Sequence, residues 1–246
     1  MLERNSPKPL YQQLEDILRV FISNGEWSAD HPIPSENELS KQYGLSRMTV
    51  RTVITNLVRE GLLYRVQGKG TFVVPPKITT RSPAYLGIRE QLEEQGYSTA
   101  TKLVEFTRMA PPRKVKKILG LKDDEPVIYI RRARYVDGSP ISIHTSYIPH
   151  HCCPTMKSDD LETVQLCKIM ENDFGLKPSL VHESLETCPA DDEQAQFLNI
   201  GKNHPLLVLD QILRTQEGEA YEYTQIVFRG DKMKLNFDYN LEETQS

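Results

Sequence analysis

Apolar residues recur at helical spacing three times in the first 60 positions. The first stripe covers residues 9–24. Ser35 followed three residues later by Glu38 predicts a capping box at the start of a short second helix. Ser46 is the predicted cap of a third helix that runs to about residue 60, with these residues facing inward: Val50, Val53, Ile54 and Leu57.

After the helices the pattern changes to short β-type runs. Residues 62–66 and 71–74, joined by a glycine-rich turn, predict a hairpin. Longer strands are predicted farther on, at 127–136, 141–148, 206–215 and 220–228. Helices are predicted in the same part of the chain, at 86–94, 113–119, 164–174 and 191–198.

The chain is therefore expected to be an α+β protein with two domains. Three prolines between residues 75 and 83 predict a linker at 76–83, between a first domain at 1–75 and a second at 84–246. The second domain contains an internal repeat of sequence pattern. At both 113–148 and 191–228, a helix is followed by a polar turn, a proline and a hairpin. We expect one antiparallel sheet of two similar halves, with its helices on one side. The repeat can form a small-molecule cleft or be architectural only.

Charge separates the two parts of the chain. The formal net charge is −4, but residues 41–77 hold seven bases and one acid. A local positive surface on an acidic protein suits a phosphate-backbone partner, although a solvated charged face gives the same count. No apolar run approaches the roughly 20 residues of a membrane span, and no secretory leader is visible, so we expect a cytoplasmic protein without a membrane partner.

The sequence shows no residue pattern that is typical of a catalytic site or a metal site. The four cysteines (Cys152, Cys153, Cys167 and Cys188) have no CxxC spacing and are expected to be reduced structural thiols. No nucleophile–base grouping, carboxylate pair or metal spacing is readable, so no catalytic residue, metal or cofactor is expected.

The second and third helices form a predicted helix-turn-helix. The start of the third helix offers backbone N–H groups and the Ser46 hydroxyl to a phosphate. Arg47 and Arg51 project from one face, and arginine matches the two acceptors of guanine. Thr49 suits a phosphate or a thymine methyl. Lys69, at the glycine-flanked hairpin tip, suits a minor groove.

The first 75 residues resemble the GntR family of bacterial regulators. The matching runs are Pro34–Glu36, Leu45–Arg51, Glu60–Leu62 and Gly68–Val73. The resemblance implies DNA contacts by Ser35, Arg47, Thr49, Arg51 and Lys69. Two departures are Asn37, where the family often has a basic residue, and Thr52-Val53, where it favours Gln-Ala. The full set of candidate DNA-binding residues is Ser35, Ser46, Arg47, Thr49, Arg51, Lys69, Gly70 and Thr71.

Residues 85–239 look like the effector domain of the HutC subfamily, which shares its fold with chorismate lyase. The resemblance is carried by residues 119–121, 126–134, 147–149 and 228–231. Independently of it, strand alternation places Arg132 and Arg134 on the face that Ile128 and Ile130 begin. Two arginines that continue an apolar face need an anionic partner, which is either a ligand or an acid of the same domain. Similar regulators hold a phosphorylated sugar at these two positions.

This chain departs from the sugar-phosphate sensors at several positions. His144 stands where those sensors have an acid, and taken alone it is more often a structural histidine. Glu222 is a candidate hydroxyl acceptor, or a partner for one of the two arginines. Other departures leave it open whether the sugar-phosphate pocket is retained: Gly87 in the phosphate loop, Gln165 and Cys167 on a later helix, and Phe228 in place of tyrosine. The candidate effector-binding residues are Arg132, Arg134, His144 and Glu222.

These patterns favour a ligand-responsive repressor over two alternatives. An enzyme would need a recognisable group of catalytic residues. An architectural DNA binder would not need a second domain twice the size of its DNA-binding domain. We expect a homodimer that binds double-stranded operator DNA with an inverted repeat. A small anionic metabolite, such as a sugar phosphate, is expected to release it.

Overall fold

The computed structural model describes residues 2–82 and 87–238. The chain divides into two compact units, Met1–Pro76 and Lys77–Ser246. In the sequence analysis residues 78–81 belong to the linker, but they form a strand of the second unit. Its residues pair in parallel with a strand far along the chain, so no local pattern predicts it. The proposed domain boundaries themselves stay predictions.

The first unit contains the predicted helices and hairpin. Its elements are α1 (Leu10–Ser23), α2 (Glu36–Tyr43), α3 (Arg47–Arg59), β1 (Leu63–Val66) and β2 (Gly70–Val73). Four inward positions of α3 pack against Leu14 and Leu18 of α1 and Leu39 of α2 in one core. All four predicted inward residues (Val50, Val53, Ile54 and Leu57) are buried.

Both predicted helix caps are present. The Ser35 hydroxyl accepts a hydrogen bond from the Glu38 backbone N–H at 3.3 Å, and the Glu38 carboxylate accepts one from the Ser35 N–H at 2.7 Å. At α3, the Ser46 hydroxyl accepts from the Thr49 N–H at 3.1 Å. These bonds satisfy backbone donors that the first turn of a helix leaves without partners.

The second unit is built on one six-stranded antiparallel sheet. Its strands and helices, in chain order, are β3 (Ile78–Arg81), α4 (Ile88–Glu94), β4 (Thr99–Met109), α5 (Arg113–Leu119), β5 (Val127–Val136), β6 (Ser139–Pro149), α6 (Leu166–Phe174), β7 (Leu180–Pro189), α7 (Asp192–Leu198), β8 (Pro205–Arg214), β9 (Ala220–Arg229) and β10 (Met233–Asn236). The strand order is β4-β5-β6-β9-β8-β7, and β10 pairs separately with β3.

The expected internal repeat is confirmed by the order of elements. The first half runs β4-α5-β5-β6 and the second runs β7-α7-β8-β9, so each half is a strand, a helix and a hairpin. The halves join where β6 pairs with β9. The outer strands β4 and β7 were missed by the sequence analysis, because their many exposed residues give no clear apolar alternation.

The expectation that all helices lie on one side of the sheet is wrong. Leu166 and Met170 of α6 pack with Ile128 and Ile130 on one face, which we call the cavity face. On the opposite face, Val115 of α5 packs with Val127. The cause is that β5 carries apolar residues on both faces, so both must be covered.

Among the described residues, no helix is long and apolar enough to span a membrane.

Candidate functional site

The start of α3 is an exposed basic surface. Arg47 and Arg51 are exposed, and neither has an acidic partner within 4 Å in the described part of the chain. The Ser46 hydroxyl lies 2.8 Å from the Thr49 hydroxyl while it caps the helix. The start of α3 therefore presents two cations, without acidic partners among the described residues, beside backbone N–H groups and two hydroxyls.

The hairpin tip lies against the loop that precedes α2. The Ile33 N–H donates to the Thr71 carbonyl at 2.8 Å, which fixes the start of α2 to β2. Gly70 has φ +124°, and a Cβ there would lie 3.0 Å from the Pro32 Cβ, so glycine suits both the backbone and the close approach. As a result, Ser35, Lys69, Gly70 and Thr71 border one concave surface, with Lys69 exposed.

Four candidate effector residues meet in a cavity of the second unit. Arg132 and Arg134 of β5, His144 of β6 and Glu222 of β9 all line it, and each side chain is at most 8% exposed. The cavity has a volume of about 90 Å³, which is room for several water molecules. The sheet brings these residues together, because Arg132 lies in register with His144 across β5 and β6.

The two arginines are buried without a charge partner. The described residues place no carboxylate within 4 Å of either guanidinium, and both Nε atoms lack a hydrogen-bond partner there. Arg134 Nη1 donates to Thr101 Oγ1 at 3.2 Å. Burial lowers the pKa of both, and burial together with the Arg132 charge lowers the pKa of Arg134 to about 9. The internal ion pair considered from the sequence is thus absent from the described residues.

His144 is a buried neutral histidine. Its Nε2 lies 2.9 Å from the Ser142 hydroxyl, and its ring meets Phe228 edge-on with centroids 6.2 Å apart. Burial, reinforced by the charges of Arg134 and Arg132, holds the pKa of His144 well below its usual value. The ring therefore adds no third positive charge to the cavity near neutral pH.

Glu222 is the acidic group of the cavity. Thr224 Oγ1 donates to its carboxylate at 2.6 Å, and the Ser146 hydroxyl lies 2.6 Å from that same Thr224 oxygen. Burial raises the pKa of Glu222, although the Thr224 hydrogen bond and the Arg132 charge act in the other direction. The side chain does not form an ion pair with either arginine at 4 Å or less.

The departures from the sugar-phosphate sensors line this cavity, with one exception. Gln165 fills the space beside Gly87 so closely that a Cβ on Gly87 would lie 1.5 Å from Gln165 Oε1. Cys167 Sγ lies 3.6 Å from the same oxygen. Phe228 is the exception, because it is fully buried in a hydrophobic cluster with Leu209 and Ile226 and does not line the cavity.

Other lining residues were missed by the sequence analysis. Strand alternation from His144 and Glu222 would have found Ser146 and Thr224, since each lies two positions farther along its strand. Tyr221 could not be found this way. It occupies a bulge, where Leu213 and Arg214 of β8 pair with Glu222 and Ala220 and leave Tyr221 without an opposite residue.

Two family models cover most of the chain. Residues 10–73 match the model of bacterial regulatory proteins of the gntR family. Residues 94–234, more than half of the chain, match the UTRA domain. This chain belongs to the gntR family and carries a UTRA domain. It is accordingly a transcriptional repressor of this type, with DNA and a small-molecule effector as its partners.

Similar regulators match this gntR-family chain over almost its whole length. The transcriptional repressor NagR of Bacillus subtilis is 32% identical, covering 94% of this chain and 95% of the relative. A probable fructoselysine utilization operon repressor of Escherichia coli is 28% identical, covering 96% and 97%. The histidine utilization repressor of Pseudomonas putida is 26% identical, covering 93% and 91%. The expected HutC likeness is confirmed, and the relatives are regulators rather than enzymes.

Solved structures agree on the fold of this gntR-family chain. PhnF from Mycobacterium smegmatis matches with a TM-score of 0.64 at 23% identity, covering 93% of this chain and 99% of that one. YydK from Bacillus subtilis matches with a TM-score of 0.58 at 19% identity, covering 94% and 99%. The α+β fold class, with a winged helix-turn-helix and an antiparallel sheet, is confirmed.

Proposed function

We propose that this repressor binds, as a homodimer in the bacterial cytoplasm, an operator with an inverted repeat, and that a small anionic metabolite releases it. The observation that carries the proposal is the pair of buried arginines facing a cavity without a charge partner in the described residues. A buried charge without compensation is costly, so the cavity is suited to an anion that provides it.

The proposed DNA contacts lie on two parts of the first unit. At the start of α3, Arg47 and Arg51 are exposed and have no acidic partner among the described residues, which suits both to contact base edges. Ser46 and Thr49 add hydroxyls to the N–H groups of that turn, where a phosphate is bound favourably. The second part is the concave surface bordered by Ser35, Lys69, Gly70 and Thr71.

The proposed effector contacts are Arg132, Arg134, His144 and Glu222. The arginines bind the anion, and Glu222 binds a donor elsewhere on the ligand. Neutral His144 offers a hydrogen bond without adding charge. A sugar phosphate is one anion of the required kind, and the relatives named for fructoselysine utilization support a metabolite of carbohydrate origin. The close contact between Gln165 and Gly87 leaves no space for a side chain at position 87 of the cavity lining.

Release requires that the anion bind the two states of the dimer unequally. A ligand shifts an equilibrium only by its differential affinity for the two arrangements. In our proposal, the operator-bound arrangement holds the cavity in its ligand-free form. The occupied cavity then favours a spacing of the two winged helix-turn-helix domains that no longer fits the half-sites of the operator.

The test is fluorescence anisotropy of the full-length protein on labelled DNA from upstream of its own gene. Titrations at two salt concentrations, with random DNA as competitor, should give tight binding that resists the competitor and weakens with salt. Glucose 6-phosphate and other small anions are then screened for release. If the protein binds specifically neither to this DNA nor to any site recovered by genome-wide selection, the proposal that it binds an operator is refuted. Specific binding that no anion weakens would refute the effector part.

A further inference from the structure

The effector cavity carries charges of both signs on different strands. Arg132 and Arg134 project from β5, whereas Glu222 projects from β9, and β6 lies between these two strands. Two strand spacings separate β5 from β9 by about 10 Å. All three groups line the cavity, and neither arginine approaches Glu222 within 4 Å. The site is thus positive on one side and acidic on the other.

Glu222 has fewer partners than an ionised carboxylate needs. A carboxylate can accept about four hydrogen bonds. Within the described residues, Glu222 accepts one from the Thr224 hydroxyl and a second from Ser146, whose hydroxyl also contacts the Thr224 oxygen. No lysine or arginine of the described chain lies within 4 Å of it, and its side chain is 6% exposed. Both the arginine pair and this carboxylate are therefore buried without an ion pair at 4 Å or less among the described residues, and the Arg132 charge acts on Glu222 only from a longer distance.

A purely anionic ligand would satisfy only one side of this cavity. Its charge would compensate the arginines but would give Glu222, which lines the same cavity, neither a counter-charge nor a hydrogen-bond donor. A ligand hydroxyl would give Glu222 a hydrogen bond and no charge. A protonated amine gives it both, and hydrogen bonds between ionised groups are roughly twice as strong as neutral ones.

We propose that the effector carries a protonated amine in addition to its anionic group, and that Glu222 binds this amine while Arg132 and Arg134 bind the anion. The inference rests on the proposed anion site and adds the second charge. The anion can be a phosphate or a carboxylate, since two guanidinium groups suit either one.

The test uses two pairs of small probes that differ only in the amine. The phosphate pair is 2-aminoethyl phosphate and 2-hydroxyethyl phosphate, and the carboxylate pair is 4-aminobutanoate and 4-hydroxybutanoate. Calorimetric titration of the full-length protein should show that one aminated probe binds about tenfold or more tightly than its hydroxyl partner. The pair that binds identifies the anion.

Glu222→Gln keeps the shape of the side chain and removes its charge, so the preference for the amine should disappear while the hydroxyl probe retains its affinity. Glu219→Gln, the same change at an exposed position near the start of β9, is the matched control and should keep the preference. Equal affinity within both pairs, or a preference that survives Glu222→Gln, would overturn the inference and leave the anion site intact. If neither pair nor inorganic phosphate binds, the anion site and the inference both fail.

Discussion

Replacing Arg132 by methionine removes a buried charge and leaves a side chain of similar length. Arg132 is 4% exposed, its Nε has no partner among the described residues, and burial lowers the pKa of its guanidinium. In the ligand-free protein this charge is a cost to the folded state. Arg132→Met should therefore stabilise the ligand-free protein while it weakens anion binding. The two effects have opposite signs, so they distinguish a ligand-binding arginine from a structural one.

The magnitudes follow from the same environment. A buried charge left without compensation costs about 3–5 kcal/mol. Because methionine loses some contacts, we expect a net gain of about 1–3 kcal/mol in the free energy of unfolding. A domain of this size gains about 2–4 °C in Tm per kcal/mol. The lost charged hydrogen bonds should weaken anion binding by roughly 10–150-fold, from about 1.5–3 kcal/mol.

The assay is thermal unfolding of the full-length protein with and without the anion, and Arg131→Met is the control. Arg131 is the neighbouring residue, but it forms an ion pair with Glu193 and lies over the Phe197 ring with its guanidinium carbon 4.8 Å from the centroid. Its replacement should lower stability and leave anion binding intact. If Arg132→Met also lowers the stability of the ligand-free protein, Arg132 has a structural partner and our reasoning about the cavity is wrong.

Three further predictions concern His144, the contact between Gly87 and Gln165, and the DNA surface. Because the pKa of His144 is depressed in the folded state, its contribution to stability is present above pH 6.5 and is lost as the pH falls. His144→Gln should therefore remove about 1.4 kcal/mol per pH unit of acid sensitivity in urea unfolding below about pH 6. Gly87→Ala should displace the Gln165 amide, so a double-mutant cycle with Gln165→Ala should show coupling of about 0.5–3 kcal/mol. Arg51→Ala should weaken operator binding by about 1–3 kcal/mol, measured by anisotropy, and leave anion affinity unchanged.

Matched variants separate these effects from general damage. His182→Gln changes an exposed histidine and should keep the acid sensitivity of the unaltered protein. If the free energy of unfolding of His144→Gln depends on pH as steeply as that of the unaltered protein, the histidine prediction is contradicted. If the effects of Gly87→Ala and Gln165→Ala on stability are additive, the predicted coupling is contradicted. Arg59→Ala removes an exposed arginine at the end of α3, where Arg59 Nη2 is 3.4 Å from Asn56 Oδ1. If it weakens operator binding as much as Arg51→Ala, base reading by Arg51 is refuted.

Local chemistry accounts for most of what the sequence could predict. The caps at Ser35 and Ser46 depend on residues three positions away, so the bounds of α2 and α3 were readable. The inward residues of α3 follow one helical period. Strand alternation also placed Arg132 and Arg134 correctly on the cavity face.

Features that depend on distant residues could not be predicted. Strand β3 is formed by pairing with β10, which lies more than 150 positions away in the sequence. The location of Tyr221 depends on a bulge, and the edge strands β4 and β7 lack a strong apolar pattern. The contact of Gln165 with Gly87 joins the starts of two helices that no local signal relates. Nor could the sequence decide whether the two arginines have an internal ion-pair partner.

The most direct test of the central claim is the coupling between anion and operator. Operator affinity is measured by anisotropy with and without a saturating concentration of the anion that binds tightest in calorimetry. The unaltered protein should lose about tenfold or more in operator affinity, and the operator should weaken anion binding by the same factor. In Arg132→Met the operator affinity should no longer respond to the same anion concentration. An anion that binds the cavity of the unaltered protein and leaves its operator affinity unchanged would contradict the account.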